Sequence, residues 1–281
     1  MRILITGAKG QLGTELQRVL KGHTLILRFW PDFDLLKPDA ESQVVDARPE
    51  VLIHAAAYTD VEGAESEPET AMAVNGEGTA RMASAAVRCG ARLFYISTDY
   101  VFDGTKRTPY EESDPPHPLN AYGWSKLEGE RQALARCPDT LVVRTSWLYG
   151  PHGKNFVRTI LERAAREPEL AVVADQQGSP TYAGDLATAL SRMLTMDLRG
   201  VVHASGTGSC SWYEFASAIV ALAGLPAKVR PITTARSATR VNRPPYSVLA
   251  NRVLAQRGIT LPHWKDALTR FMKQVKVEVQ P

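Results

Sequence analysis

Tyr122 and Lys126 stand four residues apart in Tyr-Gly-Trp-Ser-Lys. On a helix that spacing puts both side chains on one face. A tyrosine has an ordinary pKa of about 10, which makes it a poor proton donor or acceptor at neutral pH by itself. A neighbouring ammonium stabilises the phenolate and lowers that value. Such a pair can protonate the oxygen created when hydride adds to a ketone. Tyr-x-x-x-Lys on its own is common, and a chance surface pair explains most occurrences. Here it follows Ser97-Thr98-Asp99, which closes a predicted strand. The Thr98 hydroxyl is then available to polarise a carbonyl beside Tyr122; its bland role is a strand-end cap.

A hydride needs a carrier, and the N-terminus offers a place for one. Gly7-Ala-Lys-Gly10-Gln11-Leu12-Gly13 lies between a predicted strand and a predicted helix. Glycines at these positions permit a tight turn, close approach to a pyrophosphate and close packing of helix on strand. The helix N-terminus adds free N–H groups and partial positive charge. The spacing Gly-x-x-Gly-x-x-Gly points to short-chain dehydrogenase/reductase relatives. Lys126 can hydrogen-bond the nicotinamide ribose of such a cofactor. The second strand ends at Leu27-Arg28-Phe29-Trp30 without an acidic tip. An acidic residue there would favour NAD, whereas an arginine can accept a 2′-phosphate. Arg28 therefore tilts the reading toward NADPH, with NADH still usable; a solvated surface arginine is the bland reading. Asp34-Leu35 and Ala55-Ala56-Ala57 follow the second and third strands, where the adenosine should lie.

The elements that must position these groups alternate. Strands are predicted at Arg2–Thr6, Thr24–Phe29, Val51–Ala56, Arg92–Ser97 and Leu141–Thr145. Helical periodicity covers Gln11–Leu20, Ala40–Ala47, Glu67–Cys89 and Ser125–Arg136. Strands alternating with helices imply a parallel, doubly wound α/β sheet, because parallel neighbours need a crossover. Beyond Gly150-Pro151 the pattern changes. Helices are predicted at Asn155–Arg166, Asp185–Met196, Trp212–Ala223 and Trp264–Val275, and Val201–Ala204 reads as a strand returning to the sheet. Residues 1–150 are therefore expected to form a Rossmann-type lobe, its sheet completed by 183–204. Residues 151–182 and 205–281 are expected to form a smaller substrate-binding lobe. The segment Pro231–Tyr246, rich in Thr, Arg and Pro, is long and irregular, which in a compact protein points to function.

Composition narrows the classes. The 281 residues are 44% hydrophobic and 22% charged, which excludes a disordered chain, a fibre or a small disulfide scaffold. The net charge of +3 gives no electrostatic reason to expect a nucleic-acid partner. No apolar run approaches the roughly 20 residues of a membrane span, and the early Gly7 does not suit a secretory leader. Cys89, Cys137 and Cys210 lack metal-ligand spacing and read as structural thiols of a cytoplasmic protein. His54 ends a strand and is expected to be packed or hydrogen-bonded.

Longer motifs complete the picture. Ser97-Thr98-Asp99-Tyr100-Val101-Phe102-Asp103-Gly104, Pro118-Leu119-Asn120-Ala121-Tyr122-Gly123-Trp124-Ser125-Lys126 and Arg144-Thr145-Ser146-Trp147-Leu148-Tyr149-Gly150 closely resemble the dTDP-4-dehydrorhamnose reductase family. So do His54-Ala-Ala-Ala-Tyr58-Thr59, Asp175-Gln-Gln-Gly-Ser-Pro-Thr181 and Arg243-Pro244. The resemblance runs to about residue 250. It implies an extended short-chain reductase that uses NADPH to reduce dTDP-4-dehydro-β-L-rhamnose to dTDP-β-L-rhamnose, the last step of that sugar's biosynthesis. It implies cofactor contacts at Gly10-Gln11-Leu12, Asp34-Leu35 and Ala57-Tyr58-Thr59. Thr98, Tyr122 and Lys126 match the catalytic residues; Asp99 and Trp147 match substrate contacts. Asn155 and Arg243 are further candidates for the sugar nucleotide, Arg243 as a bidentate phosphate clamp. Some relatives form a magnesium-bridged homodimer through glutamates. Glu15 matches one of these, but Gln274 stands where another is expected, so no metal is expected and a homodimer stays open. Two alternatives remain. A dehydratase would carry a second carboxylate directly after Asp99, where this chain has Tyr100, and an epimerase is similarly disfavoured. A non-catalytic NADP-binding regulatory subunit would not need the intact Thr98–Tyr122–Lys126 set.

Overall fold

The computed structural model describes residues 1–237, 239 and 241–279. Its first half alternates as the sequence predicts: β1 (Arg2–Thr6), α1 (Gln11–Val19), β2 (Thr24–Arg28), α2 (Ala40–Ala47) and β3 (Val51–His54). Two short helices, α3 (Val61–Ser66) and α4 (Pro68–Met72), run through a π-helical turn (Ala73–Glu77) into α5 (Gly78–Cys89). Then come β4 (Arg92–Thr98), a 3₁₀ turn (Asp99–Val101), α6 (Ala121–Arg136) and β5 (Thr140–Thr145). The second half holds β6 (Leu148–Tyr149), α7 (Phe156–Ala164), β7 (Glu169–Val173), β8 (Gln177–Gly178), β9 (Thr181–Tyr182) and α8 (Ala183–Met193). It continues with β10 (Gly200–His203), β11 (Cys210–Ser211), α9 (Trp212–Ala223), β12 (Lys228–Ile232), α10 (Arg252–Gln256) and α11 (Trp264–Val279).

Six strands form one parallel sheet in the order β10-β5-β4-β3-β1-β2. Alternate strand residues feed opposite faces, as the pleat requires. Ile3, Ile5, Ile53 and Val143 pack with Leu12 and Leu16 of α1 and with Leu186 and Leu190 of α8. Leu4, Leu52, Tyr95 and Val142 pack with Val44 of α2, Met82 of α5 and Ala133 of α6. Both faces are covered, which is why the strands read as apolar runs. Winding reverses between β1 and β3, since β2 lies on one side of β1 and β3 on the other. The crevice outside the carboxyl ends of such strands is where α/β sheets bind ligands. A separate core around Tyr149, Ile160, Leu170, Phe215, Trp264 and Phe271 gathers α7, α9 and α11 beyond that edge.

Two helices differ from the sequence expectation in ways that matter for the site. The stretch Glu67–Cys89 is interrupted by the π turn, which a hydrophobic period cannot signal. There Asn75 Oδ1 accepts from Tyr58 N (2.9 Å), and its Nδ2 donates to Tyr58 O (3.0 Å) and to Ser125 Oγ (2.9 Å). Helix α6 begins at Ala121, four residues before the predicted start. Asn120 caps it by accepting from Gly123 N at 2.8 Å, a standard helix-start contact.

Candidate active site

A cleft of ≈ 1020 Å³ lies along the carboxyl ends of β1, β3, β4 and β5. Small-molecule pockets span roughly 300–1,000 Å³, so the cleft stands at the upper end of that range.

At one end the phosphate loop turns tightly. Gly7 has φ +68°, and a Cβ there would sit 2.8 Å from Ala56 N and 2.9 Å from Ala55 O. A Cβ on Gly13 would sit 2.3 Å from Gly7 O. These two glycines let loop, helix and β3 end meet at backbone distance. Gly10 is the N-cap of α1 and has no side chain to cap it, and the first turn carries no acidic residue. The helix N-terminus thus presents N–H groups and positive potential to the cleft, as an anion site requires. Gly7, Gly10, Gln11, Leu12 and Gly13 all line the cleft, as do Asp34, Leu35, Ala55, Ala56, Ala57, Tyr58 and Thr59. Asp34 Oδ1 accepts from Leu36 N at 2.9 Å, closing a turn. These residues fit a dinucleotide.

Arg28 departs from the expectation. Its side chain is not part of the cleft wall. Leu25, Leu27 and Phe29 pack on one face of β2, so Arg28 points to the other. Its Nη1 donates to Leu27 O at 3.2 Å. Only its backbone serves the loop, through Ala8 N donating to Arg28 O at 3.1 Å. The cation that does face the cleft here is Lys9, whose Nζ lies 3.7 Å above the Phe29 ring. Trp30 and Phe33 extend the aromatic wall. A lysine between two loop glycines carries no distinguishing sequence pattern.

At the centre, β4 delivers Thr98 and Asp99, and the first turns of α6 deliver Tyr122 and Lys126; all four line the cleft. Thr98 Oγ1 donates to Asp99 Oδ1 (3.2 Å) and accepts from Tyr100 N (3.2 Å), and the Tyr122 side chain lies beside it. Burial raises the Tyr122 pKa well above its ordinary value, opposed by the Thr98 hydroxyl, with Asp99 and Tyr100 adding to the rise. Tyr122 is therefore a neutral acid at physiological pH. The lysine does not set that value as the spacing argument supposed. Lys126 Nζ donates to Ile96 O at 2.7 Å and lies 4.2 Å above the Tyr95 ring. Burial lowers its pKa to about 7, opposed by Glu130. Beneath it Glu130 forms a buried pair with Arg144, Nη2 to Oε2 at 2.6 Å, and accepts from Ser97 Oγ at 2.5 Å. His54 is held between Thr6 Oγ1 (2.7 Å) and Thr79 Oγ1 (3.2 Å). Burial and then the Lys126 charge lower its pKa to about 3, so it stays neutral.

The far wall comes from the second half of the chain. Trp147 has φ +45°, an outlier for a bulky residue. Its ring stacks on Trp212 at 3.4 Å with planes 4° apart, and Phe156 leans on Trp212 at 4.5 Å. All three aromatics border the cleft. Arg243 also borders it. Its Nη2 donates to Glu62 Oε1 at 2.9 Å, while its buried Nε has no partner. Asn155 lines the cleft too, but its amide is spent on capping α7: Oδ1 accepts from Arg158 N (3.1 Å) and Nδ2 donates to Gly150 O (2.9 Å).

Of the two positions that the resemblance relates to a magnesium bridge, only Glu15 carries a carboxylate. Glu15 is buried and accepts from Arg18 Nε at 2.9 Å. Neutral Gln274 accepts from Tyr182 OH at 2.9 Å. One carboxylate already paired to a guanidinium does not fit a hard cation. Among the described residues no group of three or more His, Cys, Asp or Glu could hold a metal, and no helix is long and apolar enough to cross a membrane.

Sheet, glycine loop and cleft together are those of the Rossmann-type reductases and epimerases. At 22% identity, UDP-glucose 4-epimerase from Thermus thermophilus still superposes with a TM-score of 0.85 over 99% of this chain and 100% of that one, a likeness of fold. More specifically, the chain belongs to the RmlD substrate binding domain family, whose model matches residues 1–277. It is 42% identical to dTDP-4-dehydrorhamnose reductase of Burkholderia thailandensis, covering 95% of this chain and 97% of that one. It is 40% identical to the spore coat polysaccharide biosynthesis protein SpsK of Bacillus subtilis, covering 97% of each. The crystal structure of dTDP-4-dehydrorhamnose reductase from Bacillus anthracis in complex with NADP has a TM-score of 0.94 at 40% identity, covering 97% and 99% of the two chains.

Proposed function

We propose that this chain uses NADPH to reduce the 4-keto group of dTDP-4-dehydro-β-L-rhamnose, giving dTDP-β-L-rhamnose. The observation that carries the reading is one continuous cleft with the phosphate loop at one end, Thr98, Tyr122 and Lys126 at its centre, and Trp147, Trp212 and Arg243 on its far wall. The names of the relatives supply the substrate, and the NADP in the Bacillus anthracis structure supports the cofactor.

When bound, NADPH supplies the hydride. The loop from Gly7 to Gly13 and the N-terminus of α1 receive the pyrophosphate, Asp34 to Leu35 and Ala55 to Thr59 flank the adenosine side, and Lys9 meets the 2′-phosphate. Lys126 orients the nicotinamide ribose. Thr98 donates toward the keto oxygen, and Tyr122 gives that oxygen its proton as charge develops on it. Because burial keeps Tyr122 protonated, the acid is ready before the sugar arrives. Trp147 covers the apolar face of the 6-deoxy sugar, and Arg243 grips the diphosphate with the edge not committed to Glu62. Tyr100 fills the place a dehydratase would give to a carboxylate, packing edge-on to Tyr122 at 5.9 Å.

The test is consumption of NADPH by the purified protein when dTDP-4-dehydro-β-L-rhamnose is added, with dTDP-β-L-rhamnose identified as product. Binding of both ligands without turnover would establish the non-catalytic alternative instead.

A further inference from the structure

Among the described residues, Asp99 is the carboxyl group within reach of the proposed proton donor, and it is 2% exposed. Its two oxygens have different partners. Oδ2 accepts from Ser247 Oγ at 2.5 Å, a bond spanning 148 residues of chain. Oδ1 faces Thr98 Oγ1 at 3.2 Å. Ser247 is itself fully buried and is placed by its backbone, its N donating to Gln177 O at 2.8 Å. While Ser247 donates to Oδ2, Oδ1 is the oxygen from which a proton can be shared with Thr98.

Thr98 has a single hydroxyl proton and three claimants for it: Asp99 Oδ1, the Tyr122 oxygen and the keto oxygen of a bound sugar. A carboxylate is the strongest acceptor of the three. An ionised Asp99 therefore captures the Thr98 proton and turns it away from the chemistry. A neutral Asp99 reverses the bond, donating from Oδ1 to Thr98 Oγ1 and releasing the threonine proton toward Tyr122 and the ketone.

We propose that the Asp99–Ser247 pair is a positioning device that sets the direction of the Thr98 hydroxyl, with the neutral acid of Asp99 as the active form. This rests on the ketone reduction proposed above. Burial raises the Asp99 pKa to about 7, opposed by the bonds from Ser247 and Thr98, so both forms are populated near neutrality. The titratable groups facing it are Tyr100 on its own turn and Tyr122 on α6; Arg243 stands beyond Tyr100, paired to Glu62.

The active acid form is lost as pH rises, so kcat/KM falls above about pH 7. Removing the Ser247 donor destabilises the carboxylate, raises the Asp99 pKa and moves the falling limb upward. A hydrogen bond to a charged group corresponds to about one to two pH units.

The experiment measures kcat/KM against pH for wild type, Ser247→Ala and Asp99→Asn, with NADPH and dTDP binding as controls of folding. Wild-type turnover at about pH 6 is the first reading; its absence sinks the reductase assignment, whereas the shape of the pH profile bears on Asp99 alone. Given turnover, wild type shows the falling limb and Ser247→Ala shifts it up by about one unit. Asp99→Asn loses the limb, because its amide cannot ionise and donates permanently to Thr98 while Ser247 holds the amide oxygen. The proposal is overturned by a wild-type profile without the limb, or by a limb unmoved in Ser247→Ala. It is also overturned if Asp99→Asn keeps the limb, which would assign it to Lys126, or binds both ligands and is inactive at every pH. Should Ser247→Ala not fold, Asp99→Asn decides by itself.

Discussion

Replacing Lys9 by alanine tests which cation reads the cofactor's 2′-phosphate. In the structure the Lys9 ammonium rests 3.7 Å above the Phe29 ring, at the cleft end bounded by β1 and β2. An exposed cation–π contact of this kind holds about 0.5–1 kcal/mol. A hydrogen bond between charged partners contributes about 1.5–3 kcal/mol. The phosphate must draw the ammonium off the ring, so the net preference is about 1–2 kcal/mol. At about 1.4 kcal/mol per decade, Lys9→Ala should weaken NADPH binding about 5- to 30-fold relative to NADH. Because Lys9 is exposed, raising salt should shrink the difference through screening. Trp30, Trp147 and Trp212 border the cleft, so quenching of tryptophan fluorescence can report both dissociation constants. Arg28→Ala is the control, expected to leave the NADPH:NADH ratio unchanged because its side chain lies outside the cleft wall. Equal losses for the two cofactors in Lys9→Ala, or a ratio that moves with Arg28 instead, would refute the reasoning.

Three other outcomes are expected. Tyr122→Phe removes the proton donor and should lower kcat by about 10²–10⁴-fold while NADPH titrates as in wild type; retention of more than about a tenth of kcat, with chemistry rate-limiting, would remove Tyr122 from that role. Arg243→Lys keeps the charge but loses the fork that can hold Glu62 and a phosphate together, so KM for the sugar nucleotide should rise at least several-fold with NADPH affinity unchanged, and calorimetry with dTDP checks it. Gly178→Ala places a Cβ 2.3 Å from Trp147 Cε2; with that ring already stacked on Trp212, it must tilt into the cleft, so dTDP affinity should drop in a protein whose NADPH affinity is intact.

The phosphate loop was legible because its glycines answer a backbone requirement, visible in spacing alone. The parallel sheet was legible because both its faces are buried. Thr98, Tyr122 and Lys126 converge because a strand end and a helix start meet at the same edge of the sheet. A strand's alternation, set by which neighbours it packs against, turns the Arg28 side chain off the cleft wall, and nothing in the tip residues alone announces that direction. Asn75 was invisible because a π turn leaves no periodic trace, yet it ties the Tyr58 backbone to Ser125 of α6. Asn155 offered an amide that the fold uses as a cap. The Asp99–Ser247 bond joins residues so far apart in the chain that no local pattern announces it.

Strand β10 pairs with β5 in register from Gly200 against Leu141 to His203 against Arg144, although 54 residues separate Thr145 from Gly200. That return visit bears on how such a protein can be cut and recombined. A fragment stopping near residue 150 would leave the full length of β5 as an open edge, with Leu141 and Val143 deprived of Leu186, Leu190 and Val202. Unpaired apolar edges recruit other chains, so that fragment should aggregate. A chimera meant to exchange sugar specificity cannot be made by swapping a C-terminal tail at one junction. It needs two grafts, one for the stretch between β5 and α8 and one beyond β10, with α8 and β10 kept from the host to seal its sheet.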